Sequence, residues 1–218
     1  MARSDHPSAR PFLPDKRNLK SLAEAAEGCQ GCPLYKGATQ VVFGEGPRDA
    51  RLLLVGEAPG QQEDKSGRPF AGPAGEALDR ALEEAGLDRA TLYITNAVKH
   101  FKSENVDGEI RGLKPRVSEI NACNPWLQAE IEEIQPRIVI ALGTVAARGL
   151  VGRAITIGEA REQWMQTKWG QPLIVSFHPS ASIQAPFQER RDRIFDALVY
   201  DLERARDALN EPRPQPGA

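Results

Sequence analysis

Short apolar runs recur along the chain at Arg51–Val55 (RLLLV), Thr91–Val98 (TLYITNAV), Arg137–Leu142 (RIVIAL) and Pro172–Phe177 (PLIVSF). Each stops at Gly, Asn or Pro punctuation, the pattern of strands buried on both faces. Between them the period lengthens to that of a helix. Pro73–Ala85 sets Ala74, Ala77, Leu78, Ala81, Leu82 and Ala85 on one face, with Gly86 as its stop. Val117–Ile134 turns Ile120, Trp126, Leu127 and Ile131 toward a core, Thr144–Leu150 reads as a short helix, and Glu189–Leu209 as a long charged amphipathic one. Strands alternating with helices predict a three-layer α/β/α sandwich around a central four-stranded parallel sheet. Ligands bind such sheets beyond the carboxyl ends of the strands. Those ends carry GEAPG at 56–60, Asn96, Gly143-Thr144 and His178-Pro179-Ser180.

No internal repeat is present. Residues 1–17, polar and punctuated by Pro, read as a flexible leader, 18–210 as a single domain, and Glu211–Ala218 (EPRPQPGA) as a flexible tail. In 218 residues, 28 Lys+Arg against 30 Asp+Glu leave a formal charge of −2, which excludes a globally basic nucleic-acid binder but not a local basic face. With 40% hydrophobic and 27% charged residues, disorder across the chain is excluded. No apolar run approaches the ~18 residues of a membrane helix, and the first residues lack the apolar segment of a secretory signal. The three cysteines are an odd number, which favours a reducing cytoplasm. Without a long apolar surface stripe, a monomer is expected.

Cys29 and Cys32 form C-x2-C in EGCQGCPLYKG, and Cys123 lies far downstream in a helix. Zinc or an iron–sulfur cluster wants a fourth ligand, and His100 is the natural one. Spacing does not choose between the two, and a chance pair plus a buried free thiol is the bland alternative. Glu57 sits in a Gly-rich turn at a strand tip. That turn lacks the Lys-Ser/Thr of a phosphate loop, so Glu57 reads either as incidental or as a carboxylate placed to orient water or face a cation. Phe70, in GRPFAGPAG, is either a loop anchor or a stacking platform. Pro179 holds His178 extended at its strand end. Lys99, Lys102, Arg111, Lys114 and Arg116 cluster between the second strand and the next helix, where SENVDGEIRGLKPR reads as a mobile loop, either merely solvated or tracking phosphates.

CQGCPLY, VGEAPGQQEDKSGRPFAGPAGEALDRAL, YITNAVKHFK, ACNPWL, PRIVIALG and FHPS, in that order between Cys29 and about Arg190, together resemble the iron–sulfur uracil-DNA glycosylases. The resemblance implies their fold, uracil-containing DNA as the partner, and hydrolysis of the uracil N-glycosidic bond. It implies a 4Fe-4S cluster on Cys29, Cys32, His100 and Cys123. In family 4 the residue after TN-x-VK is Cys, whereas TNAVKHFK with His100 is similar to the X-type enzymes. The same resemblance gives His178 the task of donating to uracil O2 as negative charge develops, and Glu57 that of holding water or stabilising the sugar cation. It gives Ala58 and Pro59 the shaping of the pocket, Phe70 stacking on the base, and Asn96 reading of its N3–H and O4. Lys102, Arg111, Lys114 and Ser180 are implied DNA contacts, with Ile183 as the wedge that fills the emptied stack. X-type enzymes carry a loop ending Arg-Ile-His whose His bonds to the abasic sugar. Gly112 stands at that place here, and Ala58 stands where the X-type motif has Gln, so turnover is expected in place of covalent trapping. Two alternatives come from other classes: a non-catalytic or covalently trapping binder of uracil or abasic DNA with the same fold, and an iron–sulfur electron carrier, which has no use for Asn96 or His178.

Overall fold

Leu52–Gly56 (β1) is buried along its whole length because its alternate side chains meet different helical layers. Leu52 and Leu54 join one apolar cluster with Ile138, Ile140 and Ile174, while Leu53 and Val55 join another with Val139, Ala141 and Val175. The computed structural model describes residues 7–214 and 217; the first residues of the predicted leader and 215, 216 and 218 of the predicted tail lie outside them. The other strands are Tyr93–Asn96 (β2), Ser103–Val106 (β3), Glu109–Gly112 (β4), Ile138–Leu142 (β5), Met165–Gln166 (β6) and Pro172–Ser176 (β7). The main sheet runs β2-β1-β5-β7-β6. The four strands read from the sequence are all parallel to one another, with Gly56 opposite Asn96 at the end of the β1–β2 pair. The expected count of four is corrected to five: the two-residue β6 adds an antiparallel edge beside β7. Two residues carry too little periodicity to stand out in a sequence.

The helices are Leu19–Glu27 (α1), Gln61–Ser66 (α2), Pro73–Glu84 (α3), Val117–Ile134 (α4), Thr144–Val151 (α5), Ile157–Ala160 (α6), Ala181–Gln184 (α7) and Gln188–Ala208 (α8). Leu78 and Leu82 of α3 with Leu198 and Leu202 of α8 cover one face of the sheet. Leu127 and Ile131 of α4 with Ala147 and Leu150 of α5 cover the other, completing three layers. A third apolar cluster joins α1, the Cys29–Phe43 segment and α4 through Leu22, Ala26, Leu34, Phe43 and Trp126. Ala9 belongs to it: it is buried, and its N–H donates to Ala122 O at 2.8 Å. The described part of the segment read as a leader is thus packed against α4 at this point.

The segment expected to be a mobile loop is a β-hairpin, with Glu104 opposite Arg111 and Val106 opposite Glu109. Asp107 (φ 54°) and Gly108 (φ 89°) make its two-residue turn, and Asp-Gly supplies the two left-handed positions such a turn requires. Among the described residues no helix is long and apolar enough to cross a membrane.

Candidate functional site

The carboxyl ends of β1, β2 and β7 open into a cleft of about 550 Å³. Ala58, Phe70, Asn96, His178, Ser180 and Ile183 line it. Glu57 and Pro59 share the turn with Ala58 but lie outside that lining. The register makes the convergence. Because Gly56 pairs with Asn96, a side chain at position 56 would stand 2.3 Å from Asn96 Oδ1 and 2.6 Å from the Phe70 ring, so only glycine lets both approach. Phe70 itself takes a left-handed backbone (φ 55°), a strained conformation of the kind found at binding sites. Its ring lies 5.9 Å from that of His178 with 27° between planes.

One residue of this wall escaped the sequence reading. Glu63, buried on α2, accepts from Gly60 N–H at 3.0 Å through one oxygen and from Gly72 N–H at 3.1 Å through the other. A single carboxylate therefore joins the Glu57 turn to the Phe70 loop. The signal was present: Glu63 occupies the third position of α2, where a carboxylate folds back on the cap.

The electrostatics give the cleft a neutral donor. His178 Nδ1 accepts from Ser180 N–H at 3.2 Å and stands 2.8 Å from the Ser180 hydroxyl. In the neutral ring the proton is then on Nε2. Burial, followed by the charge of Lys114, pulls the His178 imidazolium down to about 4, so the ring is neutral at physiological pH. Burial pushes the Glu57 carboxyl up, and Lys114 opposes it. Lys114 is thus felt by both groups; it is exposed and makes no ion pair among the described residues.

The remaining predicted DNA contacts are placed less freely. Lys102 Nζ is bound to Glu119 Oε2 at 2.8 Å, and the same oxygen accepts from Arg116 N–H at 2.6 Å. The ammonium is thereby spent on clamping the hairpin base to α4. Arg111 sits on the exposed hairpin face, 3.3 Å from Glu109. Ser180 turns its hydroxyl to His178, whereas Ile183 is 41% exposed at the cleft mouth. Lys99 is buried and belongs to no surface patch.

Cys29, Cys32, His100 and Cys123 converge on a second site. All four are buried and line one narrow crevice, walled also by Trp126 and Ala9. No cysteine is in a disulfide. Trp126 Nε1–H donates to Cys29 Sγ at 3.2 Å and Lys99 N–H to Cys123 Sγ at 3.3 Å. Burial pushes the Cys123 thiol up to about 12, raises Cys32 and lowers His100. Among the described residues no three His, Cys, Asp or Glu side chains close around a single point. The donors ring a space instead, and three thiols with an imidazole make a set suited to soft metals.

The sequence model of the uracil DNA glycosylase superfamily matches residues 43–203. A Type-4 uracil-DNA glycosylase of Thermotoga maritima is 35% identical over 194 residues, covering 88% of this chain and 95% of that protein. One of Pyrobaculum aerophilum is 35% identical over 176 residues, with 78% and 86% covered. A Type-5 uracil-DNA glycosylase of the same organism is 29% identical over 151 residues, 62% of this chain and 63% of that protein. A family match that takes in the Glu57 turn, the Phe70 loop, β2 and the His178 motif, with relatives similar over most of both chains, leaves one assignment: the chain belongs to the uracil DNA glycosylase superfamily.

Proposed function

We propose that this chain is a uracil-DNA glycosylase that turns over, releasing free uracil and abasic DNA. The observation that carries the reading is the convergence of Phe70, Asn96 and a neutral His178 on one cleft. An extruded uracil stacks on the Phe70 ring, while the Asn96 amide pairs with N3–H and O4. Cytosine presents the opposite donor and acceptor pattern and leaves those buried groups unpaired. As the bond from C1′ to N1 breaks, its electron pair passes to the base, and His178 Nε2–H donates to O2 where the charge collects. A neutral donor suits this task, because Nε2 keeps its proton and gains a partner. Water held by the half-buried Glu57 carboxylate adds to C1′ and passes its proton to that carboxylate, whose proton affinity burial raises; the uracil anion takes up a proton from solvent as it leaves, and Glu57 returns its own.

Lys114 is the cation placed to meet the DNA phosphates beside the cleft, with Ile183 entering the space the base leaves. Gly112 is exposed and offers no nucleophile, so no covalent sugar adduct forms. Cys29, Cys32, His100 and Cys123 hold a 4Fe-4S cluster; when bound, it supplies ligand bonds that tie the Cys29–Cys32 loop, the segment after β2 and α4 together. The space ringed by the four donors, with N–H groups aimed at two of the sulfurs, supports that assignment.

The test is incubation with uracil-containing single- and double-stranded oligonucleotides, resolving free uracil, abasic DNA and any SDS-stable protein–DNA band. Release of uracil in excess over enzyme is expected, with loss on the order of 100-fold or more in His178→Ala, the scale of removing one charge-stabilising donor. Binding without release, or a heat-stable adduct, would refute it.

A further inference from the structure

Asn96 ends an edge strand. Gly56 of β1 holds one side of it, but on its outer side β2 has only an isolated bridge between Glu45 and Ile94. A buried ion pair takes the place of the missing neighbour. Lys99 Nζ and Glu130 Oε2 stand 2.5 Å apart, with side chains 1% and 0% exposed. Glu130 reaches in from α4, and its other oxygen accepts from the Tyr93 hydroxyl at 3.1 Å, the Thr95 hydroxyl at 2.9 Å and Gly44 N–H at 3.1 Å. The Lys99 ammonium has three protons, and the other two go to Thr95 Oγ1 at 2.6 Å and the main-chain carbonyl of Asn96 at 2.9 Å.

A buried ion pair is seldom more stabilising than apolar residues of the same volume. This one is spent around the uracil-reading residue: it grips the Thr95 hydroxyl and the Asn96 carbonyl, while the Lys99 main chain donates to Cys123 Sγ. We propose that Lys99 and Glu130 are positioning residues for base recognition, fixing the Asn96 peptide so that its side-chain amide is aimed into the cleft. The inference rests on the reading of Asn96 given under Proposed function. A fixed peptide matters because the side chain hangs from it: a shift of that peptide carries the amide away from the N3–H and O4 edge it pairs with.

A double-mutant cycle tests this. Lys99→Met combined with Glu130→Gln removes both charges at nearly constant volume. Excision of uracil is measured for this pair, for Asn96→Ala, and for the triple variant, with iron content and melting temperature checked in each. The expected result is a folded, cluster-bearing protein whose excision rate falls on the order of 10- to 100-fold, the scale of a small misplacement of a binding group. Asn96→Ala should then cost far less in that background than in the native one, since coupled residues are not additive. A folded pair variant at full rate, or losses that multiply independently, would overturn the proposal. If the pair variant does not fold, Thr95→Val replaces it in the same cycle, with a smaller loss expected and the same non-additivity deciding. If Asn96→Ala costs nothing in the native background, the reading of Asn96 falls first and this inference with it.

Discussion

Acid should destabilise the fold through a residue of the cleft, and His178 sets the window. Its ring stays neutral down to about pH 4, whereas in the unfolded chain it titrates near the ordinary 6.5. Above 6.5 neither state binds the proton and the group leaves stability unchanged. Between 6.5 and 4 the unfolded chain binds a proton that the native protein refuses, so stability falls as pH falls. The proton-binding difference amounts to about 2 kcal/mol at pH 5 and levels off at about 3.4 kcal/mol well below pH 4, at ~1.36 kcal/mol per unit. Replacing the ring by a group that does not titrate, His178→Asn, should abolish that share alone. His100, whose protonation is also disfavoured by burial, is present in both proteins and cancels in the comparison. Urea midpoints at pH 7 and pH 5, with the denaturant slope checked for constancy, should show the native protein losing about 2 kcal/mol more than the variant. Labelled-histidine NMR supplies the direct reading: proton on Nε2, Nδ1 unprotonated, no titration until about pH 4. A ring that titrates near 6.5, or equal losses in both proteins, would refute the neutral-donor account.

Lys114→Met should raise the proton affinity of both Glu57 and His178, because its charge lowers each; the acid limb of the excision profile should move to higher pH, while an unmoved limb would place the cation elsewhere. Gly56→Ala drives a methyl to 2.3 Å from Asn96 Oδ1 and 2.6 Å from the Phe70 ring, and uracil excision should fall on the order of 100-fold; activity near the native level would mean that the contact relaxes freely. Cys123→Ala should abolish bound iron and the brown colour and lower the melting temperature, since in the proposed cluster the ligand bonds would join three segments; full iron occupancy would remove Cys123 from the ligand set.

The sheet and its main helices were legible because their signal is local. In RLLLV, RIVIAL and PLIVSF the apolar run is itself the strand, and Val117–Ile134 carries its helical period unbroken. Asn96 and His178 were legible at the cleft from their strand-end positions, whereas Phe70, in the loop between α2 and α3, was brought there by the resemblance. The hairpin was misread as a loop although Asp107-Gly108 was in view, because its strands are mostly polar and none of their residues is buried. α1 escaped because its apolar face, Leu22 and Ala26, meets a satellite cluster and not the sheet, though the box between Asn18 and Ser21 marked its start. The basic cluster was the least legible feature. Lys99 and Lys102 look alike in sequence, and only carboxylates 31 and 17 positions away, Glu130 and Glu119, withdraw them from solvent.

The bridge made by Glu63 bears on how a damaged base gains entry. Because one carboxylate holds Gly60 and Gly72 together, parting the two loops that flank the cleft would break two hydrogen bonds to a charged acceptor. With the loops tied in this way, the rearrangement on binding falls chiefly to the nucleic acid, whose base must leave the stack at a cost of about a few kcal/mol. Search along DNA becomes a test of how readily each base comes out. Uracil opposite guanine, or in a single strand where nothing holds it, should enter faster than uracil opposite adenine, with the difference set by the pairing of the DNA before the protein has read the base.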